Sequence, residues 1–405
     1  MTLSVAELAS RAGTSADIVR RLSDLGVLAP NPAEGPFDES IVPRVRVALQ
    51  LEASGISLDD IGRAIAEKGF SLAFADALFG RPVGMLDVSS RGLQAQLNLS
   101  EGFMDDVRVA LGASAGWDEP IREDDAELFG ILDRFVHQGL DERVAEQVAI
   151  RFFYVVAEAA RKIAAGGREM WRKGVEEPLF SRGLSSQEFL EAIAAPGPES
   201  QRLVDPMMTL LFHRFIEAEI VQEVMLHLET ALDDAGVHRK RQASPPAIAF
   251  LDLTGYTKLT EEAGDEAAAD HARSLVDLVR KTAMQHGGRL VKMLGDGAMF
   301  HFTDPLAAIR CGLELVEQAP AAGLPPARVG VNAGPLIQRD GDFFGRTVNV
   351  AARVADYARP NEVLATADAV RGISSGLEFL EIGGVSLRGV ADPVELYAAK
   401  GAVRA

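Results

Sequence analysis

A single cysteine, Cys311, in 405 residues excludes a disulfide framework within one chain. It lies in the helical pattern LAAIRCGLELVEQA, which predicts a thiol packed in a core. No apolar run reaches the roughly 18 residues a membrane span needs, and the first residues lack a signal-peptide pattern. A cytoplasmic chain with no membrane segment is therefore expected. Basic charge is also in short supply. Lys and Arg number 41 against 59 Asp and Glu, leaving a net charge of −18. Broad binding to nucleic acid or an anionic membrane needs the opposite balance, so a polyanionic ligand must be met locally, by metals and a few cations. Internal repeats and low-complexity tracts are absent as well. What remains is a chain with 47% hydrophobic residues, long enough for two or three domains with ordinary cores.

Texture divides the chain into zones. Residues 1–70 hold short helical patterns broken by Gly and Pro, and residues 71–240 read as helical almost throughout. EQVAIRFFYVVAEAARKI and MMTLLFHRFIEAEIVQEVMLHLETAL space their apolar residues as helices buried on wide faces do. The N-terminal region is thus expected to be all-helical, with 71–240 a regulatory and dimerisation domain. His137, His213 and His227 lie in it, and histidine changes charge near neutral pH. Packed or exposed bystanders are one reading of them, and a pH switch built on His213 and His227 is another. An unidentified regulatory ligand between these helices is compatible with the pattern, although no spacing demands it. RQASPP (241–246) is a short linker whose prolines stop a helix. Strands alternate with helices from 247 to 400, so the chain as a whole is expected to be α+β.

Three strings in this last zone carry chemistry. FLDLTGYT (250–257) ends the apolar run AIAFLDL, which reads as a buried strand emptying at Asp252 into a Thr-Gly turn. KMLGDG (292–297) puts Asp296 in a Gly-Asp-Gly between two apolar runs, the pattern of a tight hairpin. Two carboxylates at neighbouring strand ends can bridge a pair of hard cations, as in phosphoryl chemistry with metals about 3.5–4 Å apart. Turn stabilisation is the plainer use of such aspartates. In GRTVNVAARV (345–354), Asn349 and Arg353 stand four apart and share one helix face.

In this order and spacing, these strings make residues 245–400 resemble the catalytic domain of class III adenylyl/guanylyl cyclases. The resemblance implies a ferredoxin-like catalytic domain and two Mg²⁺ or Mn²⁺ ions per active site. Asp252, Asp296 and the Leu253 carbonyl would be the metal ligands. It also implies that Asn349 orients the ribose and that Arg353 stabilises the pentavalent phosphorus, with a permanently charged fork that matches phosphate oxygens. Lys292 and Asp342 would read the adenine edge, a donor and an acceptor for adenine's ring nitrogen and amino group. Guanylyl cyclases usually carry another pair, often Glu and Cys, so ATP is the expected substrate. Asp340 also lies in RDGDFFGR, and register from Gly345 favours Asp342. Arg388 is the nearest candidate for the basic residue that the family places on the triphosphate. The stretch between AGP (333–335) and Gly345 is short, like that of bacterial members with a reduced dimerisation arm. Head-to-tail homodimers with composite sites are the family's assembly.

Residues 1–70 resemble the winged helix-turn-helix of MerR-type regulators, through VAELASRAGTSADIVRRLSDLGVLAP and SGISLDDIGRAI. A functional reader needs a basic recognition helix and wing. Arg20 and Arg21 could serve the helix, but the wing segment PNPAEGPFDES carries Glu34, Asp38 and Glu39. This zone holds seven Lys/Arg against ten Asp/Glu, so a dimerisation or regulatory module is expected rather than DNA binding. The leading expectation is a homodimeric adenylate cyclase regulated by its N-terminal region. The alternative is a DNA-binding or scaffold regulator whose cyclase-like domain senses nucleotide.

Overall fold

The computed structural model describes residues 2–29, 36–78, 83–113, 116–139, 141–236, 244–256, 265–373 and 376–401. They form two compact units, residues 1–226 and 227–405.

The first unit opens with α1 (Val5–Ala12) and α2 (Ala16–Asp24). Ser4 and Glu7 form a reciprocal capping box on α1, and Gly13 ends it in the left-handed region at φ 72°. With α3 (Val42–Ala53), α4 (Leu58–Lys68) and α5 (Ala75–Leu78), these helices bury Leu8, Val19, Leu22, Phe37, Val45 and Leu58. Arg44 is almost fully buried yet satisfied, donating to Asp76 at 3.0 Å and to the Ala29 carbonyl at 2.7 Å. A second core follows α6 (Ser90–Gln94). It joins α7 (Glu101–Leu111), α8 (Glu123–Val136) and α9 (Glu142–Trp171) through Phe103, Met104, Phe129, Leu132 and Phe153. Then come α10 (Glu177–Phe180), α11 (Ser186–Ala194) and the 38-residue α12 (Gly197–Asp234).

The expectation of an all-helical N-terminal region is corrected here. β1 (Thr2–Leu3) pairs antiparallel with β2 (Phe37–Asp38), and β3 (Met85–Ser89) with β4 (Pro120–Arg122). Strands of two to five residues are too short for an alternating pattern to be read. Their partners are distant in sequence, since Thr2 faces Asp38 and Met85 faces Arg122. Of the expected acidic wing, Asp38 lies in β2, while Glu34 falls outside the described residues. Part of the expected linker, 241–243, also falls outside them.

The second unit is an α+β layer around a seven-stranded sheet. Its chain order is β5 (Ala247–Leu253), α13 (Asp265–Gln285), β6 (Arg289–Leu294), β7 (Gly297–Phe302), α14 (Pro305–Gln318) and β8 (Ala327–Ala333). A small hairpin follows, β9 (Ile337–Arg339) with β10 (Asp342–Phe344), and then α15 (Arg346–Tyr357). β11 (Val363–Thr366), α16 (Ala367–Val370), β12 (Leu377–Val385) and β13 (Val394–Gly401) complete the unit. Strand order is β12-β13-β11-β8-β5-β7-β6, antiparallel except for the β11–β8 pair.

Alternation along β5 sorts the two faces. Ala247, Ala249, Leu251 and Leu253 pack with Leu275 and Val279 of α13 and with Ile309 and Leu315 of α14. Cys311 lies in this core as its pattern predicts, its thiol pushed up to about 12 by burial and, less, by the Glu314 charge. Ile248 and Phe250 turn the other way, into the cluster that holds Ala351 of α15. Asp252 continues that even-numbered series, toward the α15 side.

Candidate active site

Sheet register brings the two aspartates of the sequence motifs to one place. Asp252 faces Gly297 on β7, the residue after Asp296. Leu294 and Gly297 close a two-residue hairpin loop, with Gly295 in its left-handed first position at φ 67°. A Cβ on Gly297 would stand 2.8 Å from the Leu251 carbonyl oxygen, so glycine lets the loop lie against β5. Burial holds the Asp296 carboxyl above the ordinary carboxylate range, and the Asp252 charge adds to the rise. Tyr256, just after the Thr-Gly turn, has its phenol raised by burial and then by the Asp296 charge. Leu253 buries its side chain in the α13–α14 core, leaving its carbonyl as the group it can offer.

Arg328 was not singled out by sequence reasoning. It faces Asp252 across the β5–β8 pair and donates to Asp252 Oδ2 from Nε at 2.8 Å, with Nη2 at 2.6 Å. Its Nη1 also donates to the Asp356 carbonyl, at 2.7 Å, at the C-terminal end of α15. Gly330 and Asn332 share its strand face. A Cβ on Gly330 would stand 2.1 Å from the Ala355 nitrogen, so α15 rests backbone to backbone on the sheet. Asn332 is buried, donates to the Thr347 carbonyl at 3.0 Å and accepts from the Thr366 hydroxyl at 2.7 Å. The signal available in the sequence was an Arg, a Gly and an Asn at alternate positions of the otherwise apolar ARVGVNA.

This seat fixes which way α15 points. Thr347, Val350, Ala351, Val354 and Ala355 are buried, while Asn349 and Arg353 are exposed on the outer face. Arg353 pairs with Asp356 at 2.7 Å. The structure does not bring Asn349 and Arg353 onto the carboxylate pair of their own chain, because they face away from the sheet. Arg388 is likewise remote. It lies exposed in the turn between β12 and β13. That turn is at the end of the sheet opposite Asp252, because β13 ends beside the start of β11 and β11 starts beside the start of β8.

Lys292 and Asp342 do meet, as an ion pair within one chain. A bulge between Leu290 and Lys292 puts Arg289 and Lys292 on the same sheet face as His301 and Met299, their register partners on β7. Asp340 and Gly341 form the two-residue turn of the β9–β10 hairpin, both with positive φ, 54° and 78°. Asp340 is thereby spent in the turn, and Asp342 is the residue beside Lys292.

Among the described residues no group of three or more His, Cys, Asp or Glu is placed to hold a metal. The donor set that is present, two carboxylates of which one is raised in pKa by burial and by the other's charge, suits a hard cation that would relieve that repulsion.

Residues 239–401 match the family model described as adenylate and guanylate cyclase catalytic domain. The matched stretch takes in the whole sheet of the second unit and every string that carries the resemblance. A pH-sensitive adenylate cyclase of Mycobacterium tuberculosis is 33% identical over 51% of this chain and 56% of its own length. An adenylate cyclase of Glutamicibacter nicotianae is 26% identical over 69% of this chain and 70% of its own. The chain thus spans between about half and 70% of these two relatives. Among solved structures, the adenylyl cyclase CyaB from P. aeruginosa is 24% identical over 39% of this chain and 95% of that one, with a TM-score of 0.37. Among the described residues no helix is long and apolar enough to cross a membrane.

Proposed function

We propose that the protein is a homodimeric adenylate cyclase that converts ATP to 3′,5′-cyclic AMP and pyrophosphate, under the control of its N-terminal region. The observation that carries the substrate reading is the Lys292–Asp342 pair, a donor and an acceptor held side by side on one face. Adenine offers the complementary acceptor and amino donor, whereas guanine sets an oxygen against the carboxylate. Asp252, Asp296 and the Leu253 carbonyl would hold Mg²⁺ or Mn²⁺. When bound, the metal pair would lower the pKa of the ribose 3′-hydroxyl and neutralise the phosphates. Arg328 already balances the Asp252 carboxylate and keeps it aimed along the sheet face. Asn349 orients the ribose, and Arg353 carries permanent positive charge to the α-phosphate as its charge develops. Arg388 contacts the triphosphate.

The placement of these groups supports a homodimer. Asn349, Arg353 and Arg388 face away from their own chain's aspartates, so two chains set head to tail complete two sites. A further support is α12, which exposes Leu203, Leu210, Phe212, Phe215 and Ile220 to an extent a lone helix does not keep in water. The β8-β5-β7-β6 order, with α13 and α14 crossing on one face, agrees with a ferredoxin-like core. Residues 1–70 act as a regulatory module of MerR-like descent. Arg20 and Arg21 are engaged by Asp17 and Asp59 at 2.8 and 2.9 Å, which argues against their meeting DNA phosphates.

The deciding experiment measures cyclic nucleotide from ATP and from GTP, in Mg²⁺ and Mn²⁺, with the purified full chain. Cyclic AMP alone is the expected product, and no product under any of the four conditions would sink the reading. Mixing Asp252→Ala with Asn349→Ala protein tests the composite site, because only mixed dimers retain one intact site. Regulation by pH is suggested by the name of one relative and by His213, which stands on exposed α12 with its ring 5.8 Å from that of Phe212. A pH profile of activity that is unchanged in His213→Gln/His227→Gln protein removes that idea.

A further inference from the structure

The Lys292–Asp342 pair depends on a hairpin with little to hold it. β9 and β10 are three residues each, lie outside the main sheet, and β9 is exposed along its whole length. Phe343 anchors this hairpin, with 5% of its surface exposed, among Ile248, Met299 and Ala351. Its ring stacks on the His301 imidazole, with centroids 4.5 Å apart and planes 13° from parallel. The Arg289 guanidinium stands 5.5 Å from the same ring centroid. Arg289 and His301 are register partners on β6 and β7, so one cross-strand pair grips the ring from the sheet side.

The grip reaches the base-reading carboxylate directly. The Phe343 backbone N–H donates to Asp342 Oδ1 at 2.8 Å, while Lys292 engages Oδ2. Both carboxylate oxygens are therefore aimed by neighbours, and one of those neighbours is the backbone of the clamped residue. The bulge after Leu290 supplies the other half, since it carries Lys292 to the face on which Arg289 stands.

We propose that His301 and Arg289, acting through the Phe343 ring, are positioning residues for substrate-base discrimination. They touch no substrate. They hold Asp342 at the place where its oxygen accepts from an amino group and rejects a carbonyl. The inference rests on the adenylate cyclase reading for the identity of the base. A loose hairpin lets the carboxylate swing from guanine's oxygen, so the chief loss is of selectivity rather than of turnover.

The test uses the full chain, with dissociation constants for ATP and GTP measured by displacement of a fluorescent ATP analogue in Mn²⁺, and kcat and KM measured beside them. His301→Ala is expected to lower the ATP-over-GTP preference roughly tenfold, within the range that single recognition contacts govern. Its effect should fall on KM for ATP more than on kcat. Arg289→Ala should act in the same direction and less. His301→Phe keeps a flat ring against Phe343 and should restore the preference, while His301→Gln should not. An unchanged ratio in both His301→Ala and Phe343→Ala overturns the inference even if ATP turnover is intact. A chain without turnover whose ATP preference in binding is erased by His301→Ala would overturn the cyclase reading and leave the clamp standing. A wild-type chain that binds ATP and GTP equally overturns the clamp.

Discussion

Two helices of this chain solve the problem of an apolar face in opposite ways. α15 is 12 residues long and closes one face completely on the sheet, over Gly330 and between the polar ends Arg328 and Asn332. α12 is 38 residues long, and Leu210 and Phe215 remain 70% and 64% exposed on it. The first helix has its seat within its own unit, so its outer face is free to present Asn349 and Arg353 to solvent. The second carries apolar side chains that its own unit leaves uncovered. A helix of that composition is stable in water only when something buries it. On the proposed reading, the difference separates groups that a single chain can aim from groups that a second copy would complete.

The outer face of α15 should show the largest effect. Asn349→Ala or Arg353→Ala is expected to reduce turnover roughly 10²- to 10³-fold while leaving the melting temperature unchanged, since neither side chain is buried. A fall in stability equal to the fall in activity would undo the division between the two faces. On the inner face, Gly330→Val must push α15 off the sheet. It should cost about 3 kcal/mol in denaturant unfolding and abolish turnover as well, by moving both functional residues. Asn332→Ala leaves the buried Thr366 hydroxyl without its acceptor and should cost about 1–3 kcal/mol.

For α12 the expected response is in assembly. Leu210→Glu with Phe215→Glu should shift the chain from dimer to monomer in sedimentation at micromolar concentration, with helix content by circular dichroism kept. Dimers that persist unchanged would mean that α12 is not what holds the two copies together. The smallest effect concerns the closed core. Cys311, buried and with its thiol pushed up to about 12, should not react with a thiol reagent at pH 8 until denaturant is added.

Legibility from the sequence varied with the range of the interaction. The β6–β7 hairpin could be read because Gly-Asp-Gly between apolar runs is a local signal, and the buried strand ending at Asp252 because its run is continuous. The sharing of one helix face by Asn349 and Arg353 follows from periodicity alone. Arg328 escaped because its partner Asp252 is 76 residues away, and the alternation of Arg, Gly and Asn in ARVGVNA marks a special strand face without naming what it meets. β3 and β4 escaped because five and three residues, separated by two helices, carry no periodic signal of their own.

The sequence by itself determined the alternation that sorts β5 between two faces, the glycines that turn the hairpins, and the residue types able to meet metal, base and phosphate. These depend on backbone sterics and on short-range periodicity, which a linear chain already contains. The tertiary structure set Asp342, which register from Gly345 already favoured, beside Lys292, and only the tertiary structure decided that Arg328 ties the Asp252 carboxylate to the end of α15. It alone decided that Asn349, Arg353 and Arg388 turn away from the aspartates of their own chain. Those outcomes depend on register across strands distant in sequence and on the close approach of a helix at one glycine. Such distances are set when the core packs, since a one-residue slip of its strand would send Asp252, Lys292 or Arg328 to the opposite face.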